Sequence, residues 1–128
     1  MLNKVLIVED NKKNMILETD LLELEDVQVF QAYTATEGIE LTIKEKPDLI
    51  IMDVRLPDMR GTEAVEVIRQ NKEVADVPVV FVTASVMEQG IEDVKAVPNS
   101  MYVSKPIDVT TFVDTIKSAE AAEKLSND

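Results

Sequence analysis

Three runs of consecutive apolar residues limit what this chain can fold into: VLIV at 5–8, LIIM at 49–52 and VVFV at 79–82. A strand with one face in water alternates apolar and polar side chains. A strand that is apolar at every position has both faces covered, as happens in the middle of a parallel sheet. Two weaker β-like runs accompany these. The VQVFQA stretch at 27–32 alternates, as an edge strand would, and the short run at 101–103 also suits an edge.

Between the runs the apolar residues recur with a helical period. Asn11 can cap the first helical segment, which carries Leu17, Leu21 and Leu24. The second follows Thr36 with Ile39 and Ile43, and the third follows Gly61 with Ala64, Val67 and Ile68. The fifth is capped by Asp108 and presents Phe112, Ile116 and Ala119. The fourth is weak, because Gly90 and Pro98 bracket only 91–97. Strands alternating with helices predict an α/β domain with a parallel sheet and right-handed crossovers. Central places for strands 1, 3 and 4 give the order 2-1-3-4-5, the doubly wound, flavodoxin-like (βα)5 arrangement.

In such sheets ligands bind beyond the carboxyl ends of the strands, where the strand order reverses. Strand 1 ends in Glu9 and Asp10, and strand 3 ends in Asp53. Any one of these acids would pass as a helix cap or a strand end. Three of them at two adjacent strand ends repel one another and need a cation to stay ionised. The chain contains no histidine and no cysteine, which removes zinc sites, thiolate nucleophiles and histidine bases. A hard cation held by oxygens remains, and Mg²⁺ suits that donor set. Strands 4 and 5 run into Thr83 and Lys105 on the same rim. Each alone reads as a strand-end hydroxyl or a solvated lysine. Together with carboxylates and Mg²⁺ they form a cradle for phosphoryl oxygens.

VLIVEDN at 5–11, LIIMDVRLPDMRG at 49–61, VVFVTA at 79–84 and YVSKPI at 102–107 resemble the receiver domains of two-component response regulators. The likeness spans essentially the whole chain, and EDNKKNM, TASVM and SKPI most resemble DivK-like single-domain regulators. The resemblance implies that Asp53 is the phosphoacceptor, and that Asp10, Asp53 and the Arg55 backbone carbonyl ligate Mg²⁺ while Glu9 acts through water. It implies that Thr83 and Lys105 hold the phosphoryl oxygens, that Lys105–Pro106 is a cis peptide, and that Tyr102 is an aromatic switch coupled to Thr83. The donor would be a sensor histidine kinase or a histidine phosphotransferase. Output would be contact with a downstream protein through the face of the fourth helical segment, fifth strand and fifth helical segment. Such a protein is a switch rather than an enzyme, though it contributes to its own phosphorylation and dephosphorylation. The Arg55 side chain departs from the common pattern and could cover the phosphoryl group or pair with Glu9 or Asp58.

The expected organisation is a receiver over 1–122 and a short tail over 123–128, with no effector domain. With 25 acidic against 13 basic residues the net charge is −12, which disfavours nucleic acid and anionic membrane. No apolar stretch approaches the ~18 residues of a membrane span, and the start lacks a signal-peptide core, so a cytoplasmic location is expected. Two rivals stand beside this reading. A degenerate receiver would act as a binding module without phosphorylation. A haloacid-dehalogenase-type Mg²⁺-dependent aspartyl phosphohydrolase would need a second Asp at position 55 and a cap domain, and position 55 is Arg.

Overall fold

The computed structural model describes residues 2–84, 94 and 96–126, with side chains to residue 120. Five parallel strands, β1 (Lys4–Val8), β2 (Gln28–Ala32), β3 (Leu49–Asp53), β4 (Val79–Thr83) and β5 (Ser100–Ser104), form one sheet in the order β2-β1-β3-β4-β5. Four described helices cover it: α1 (Lys12–Glu23), α2 (Ala35–Glu45), α3 (Gly61–Arg69) and α4 (Val109–Ser126). The fourth helical segment expected over 91–97 lies largely outside the described residues. α4 corresponds to the fifth expected segment and runs past residue 122 to Ser126.

Burial explains the strand order. β3 and β4 are buried at every position, and β1 from Val5 onward, whereas β2 and β5 keep exposed residues at the edges. Alternate strand residues point to opposite faces, so two apolar cores form. Leu6, Ile50, Met52 and Phe81 pack with α2 and α3 on one side. Val5, Ile7, Ile51, Val80 and Val82 pack with Met15, Leu22, Phe112 and Ile116 on the other.

The helix faces correct several sequence expectations. The buried line of α1 is Met15, Glu18, Thr19 and Leu22, while Leu24 is 81% exposed. Met15, Ile16, Leu17, Leu21 and Leu22 stand on several sides of α1, so the helical period fits more than one stripe, and packing with the sheet and α4 selects one. The cap of α2 is Thr34, and its buried residues are Ala35, Gly38 and Thr42 rather than Ile43. Small residues face the sheet there because a Cβ on Gly38 would lie 2.6 Å from Val8 Cγ2. On α3, Val65 is buried with Ala64 and Ile68, leaving Val67 outside. Asn11 and Asp108 cap as expected, accepting from the Asn14 and Thr111 amides at 3.1 Å.

Gly61 marks where α3 starts directly against the end of β3. A Cβ there would lie 2.2 Å from the Asp53 carbonyl oxygen, a backbone atom that cannot rotate away. Gly61→Ala is therefore expected to destabilise the fold by on the order of 3 kcal/mol. A urea midpoint unchanged from the parent chain would show that this contact relaxes freely.

Candidate phosphoacceptor and metal site

The sheet register brings the polar strand ends level. Val8 pairs with Met52, and Asp53 with Val82, so Glu9 and Asp53 stand side by side at the carboxyl edge. Thr83 pairs with Ser104, and the next residue, Lys105, donates its amide to the Thr83 carbonyl at 2.8 Å. The Lys105–Pro106 peptide is cis. Parallel pairing thus delivers residues from sequence positions 9, 53, 83 and 105 to one rim.

Glu9, Asp53 and Thr83 are buried, whereas Asp10 is exposed. Carboxylate oxygens of Glu9, Asp10 and Asp53 lie within 4.8 Å of one another. Lys105 Nζ reaches across the sheet edge to Asp53 Oδ2 at 3.0 Å and to Glu9 at 3.4 Å. The Asn11 amide donates to Glu9 Oε1 and the Arg55 amide to Asp53 Oδ1, both at 3.1 Å. A shallow pocket opens above, lined by Asp10, Asn11, Asn14, Asp53, Arg55 and Lys105, among others.

The electrostatics show a site short of positive charge. Burial, and then the neighbouring Asp53 charge, push the Glu9 carboxyl up to about 7. Burial also works against the Lys105 ammonium, but its hydrogen bond to Asp53 and the charges of Asp53 and Glu9 outweigh this and hold it above its ordinary value. Glu9 Oε2 has the Lys105 ion pair but no hydrogen-bond partner among the described residues. Three converging carboxylates with an orphaned buried oxygen fit a hard divalent cation.

Two candidates remain, Tyr102 and Arg55. Tyr102 lies on edge strand β5 with its residue surface 41% exposed. Arg55 is exposed, and the expected pairing with Glu9 or Asp58 finds no support among the described residues. Glu9 is taken by Lys105, and Asp58 turns to α2 instead. Two polar residues take parts that the sequence does not assign to them. Asp58 binds the start of α2 through both carboxylate oxygens. Glu18 is fully buried on the core face of α1, with neither oxygen hydrogen-bonded among the described residues. The signal for Glu18 was its place on the Met15–Leu22 line. Asp58 carried none, because its partner is 22 residues away in the chain.

Comparison with known proteins agrees with this geometry. The family model described as the response regulator receiver domain matches residues 5–117. Among curated relatives, the polar-differentiation response regulator DivK of Brucella ovis is 37% identical over 118 residues, covering 92% of this chain and 96% of that protein. Among solved structures, the CheY-like receiver domain protein of Methanospirillum hungatei superposes with a TM-score of 0.87 at 26% identity, covering 98% of this chain and 99% of that one. The chemotaxis response regulator CheY4 of Vibrio cholerae gives 0.86 at 25% identity, over 93% of this chain and 99% of that one. On its sequence match, its sheet order and its acidic rim, this chain belongs to the response regulator receiver domain family.

Proposed function

We propose that this protein is a DivK-like phosphoacceptor switch in which Asp53 takes a phosphoryl group from a histidine of a sensor kinase or phosphotransferase. The observation that carries this reading is the buried Asp53 carboxylate held between Lys105 Nζ at 3.0 Å and the acidic cluster with Glu9 and Asp10. An Asp53 carboxylate oxygen attacks phosphorus. The new P–O bond forms as the P–N bond breaks, and the histidine ring leaves with its electron pair and is protonated. Mg²⁺, held by Asp10, Asp53 and the Arg55 carbonyl with Glu9 acting through water, would neutralise charge on the transferring oxygens. Lys105 is already at hydrogen-bond distance from Asp53 and needs little reorganisation to follow the charge onto the phosphoryl group. Thr83, one register position beyond Asp53, would bind another phosphoryl oxygen.

The switch itself would use a pre-existing equilibrium. Movement of Thr83 toward the phosphoryl group would let the partly exposed Tyr102 ring turn inward on β5, changing the face that β5 and α4 present to a downstream protein. We infer a receiver unit over 1–122 that works in the cytoplasm through protein contacts. Among the described residues no helix is long and apolar enough to cross a membrane.

Incubation with Mg²⁺ and a small phosphodonor, followed by intact-mass measurement and peptide mapping, tests the proposal. A gain of one phosphoryl group on Asp53, lost when Mg²⁺ is chelated and absent in Asp53→Asn, is expected. Labelling elsewhere, or labelling that persists in Asp53→Asn, would contradict it. If Asp53→Asn also regulates its partner like the parent chain, the protein is a phosphorylation-independent binding module instead.

A further inference from the structure

We propose that Asp58 is a positioning residue that pins the loop after β3 to the start of α2 and so fixes the Arg55 carbonyl for metal binding. This rests on the reading of Glu9, Asp10, Asp53 and the Arg55 carbonyl as the Mg²⁺ site. The base of the loop is already tied to the sheet. The Val54 amide donates to the Val82 carbonyl at 3.1 Å, the Gly61 amide to the Val54 carbonyl at 2.8 Å, and Arg55 bridges to Arg60. At the tip, Asp58 ties the loop to α2. Asp58 Oδ1 accepts from the Ala35 amide at 2.9 Å, and Oδ2 accepts from the Thr36 amide at 2.9 Å and the Thr36 hydroxyl at 2.6 Å.

The helix does not need this carboxylate as its cap. α2 has its own in Thr34, whose hydroxyl oxygen accepts from the Glu37 amide at 3.2 Å. What Asp58 adds is a link between two elements. Free amides and the positive end of the helix dipole favour an anion at that position. The Thr36 hydroxyl and the Ala35 and Thr36 amides hold the Asp58 carboxyl down at about 2, so the latch stays ionised at neutral pH. Arg55 is the base residue from which the chain leaves for the tied tip. A backbone carbonyl that must meet a cation of strict octahedral geometry gains from being held before the cation arrives. Leu56 and Met59 also anchor the loop by packing on the core, so losing Asp58 weakens the site without abolishing it.

The test is calorimetric titration of the full chain with Mg²⁺, read together with hydrogen exchange at the Arg55 amide. Asp58→Ala is expected to weaken Mg²⁺ binding about tenfold, the lower end of what orienting partners of metal ligands contribute, and to speed Arg55 exchange. Thr34→Ala removes the helix's own cap, so it is expected to lower the melting temperature while leaving Mg²⁺ affinity within about twofold. Asp58→Asn keeps one acceptor and is expected to fall between; it also supplies a folded variant should the alanine variant unfold. Parent-like affinity and parent-like Arg55 protection in both Asp58 variants would overturn the proposal and leave the metal site standing. Equal weakening by Thr34→Ala would make Asp58 merely a stabiliser of α2 and would also overturn it. Absence of saturable Mg²⁺ binding in the parent chain would remove the metal site and the proposal together.

Discussion

Lys105→Ala is expected to slow phosphoryl transfer to Asp53 by two to three orders of magnitude, the usual loss when one preorganised charge-stabilising donor is removed. Lys105 Nζ is the cation seen against both Asp53 and Glu9, and its side chain is only 19% exposed. In a partly dry setting its charge acts on developing phosphoryl charge with less screening than at an open surface. Mg²⁺ affinity should move the other way or stay level, since the ammonium and the metal compete for the same carboxylates. Removing the lysine takes away one of the influences that lower the Glu9 carboxyl, so Glu9 would tend further toward its neutral form and spare the fold much of the penalty. The informative measurement is the pair of values: phosphorylation rate at saturating Mg²⁺ from time-resolved intact mass, and Mg²⁺ affinity from calorimetry. A folded Lys105→Ala protein that phosphorylates at the parent rate would remove Lys105 from the mechanism.

Glu18 offers the largest expected gain in stability. Its side chain is fully buried on the face of α1 that also carries Met15 and Leu22, and neither carboxyl oxygen has a hydrogen-bond partner among the described residues. Burial first, and the Glu9 charge second, push this carboxyl up to about 8, so the folded chain carries it neutral at pH 7. Unpartnered polar atoms in a core cost about 1–3 kcal/mol even when uncharged. Glu18→Met is therefore expected to stabilise the fold by about 2 kcal/mol at pH 7, through apolar replacement of similar shape.

The pH dependence has a definite sign. Below pH 4.5, the ordinary glutamate value, Glu18 is protonated in both states and linkage contributes nothing against folding. Between there and about 8 the unfolded chain releases the proton while the folded chain keeps it, so raising the pH favours unfolding. Above about 8 the full penalty is reached. Urea midpoints for the parent and Glu18→Met should therefore differ modestly near pH 5 and increasingly toward pH 8. A difference independent of pH would show that Glu18 finds a partner or solvent in the folded state.

The two residues show where reading a sequence stops. Asp10, Asp53 and Thr83 were legible because each follows a run that can only be a buried strand, and Lys105 because it follows the weaker edge run of β5; parallel strands put their carboxyl ends on one rim. Glu18 was not legible as a buried group. The leucines at 17, 21 and 24 gave a competing stripe, and a glutamate on a helix ordinarily faces water. Ile43 was misplaced for a related reason: on α2 the sheet demands close approach, so Gly38 and Thr42 take the inner face. On α3 the inner place goes to Val65 rather than Val67, an identical side chain, so composition alone could not choose between them. Periodicity ranks faces by hydrophobicity, whereas packing ranks them by shape.

By itself the sequence determined the layers, the strand order and the polar rim, since an apolar run with no polar position cannot be stable at an edge and its end must open where the helices begin. Only the tertiary structure decided how the rim is wired. The 3.0 Å approach of Lys105 to Asp53, the raised carboxyls of Glu9 and Glu18, and the Asp58 link to α2 depend on side chains from segments far apart in the chain. Their energies come from distance and burial, and neither exists until the sheet has brought those segments together.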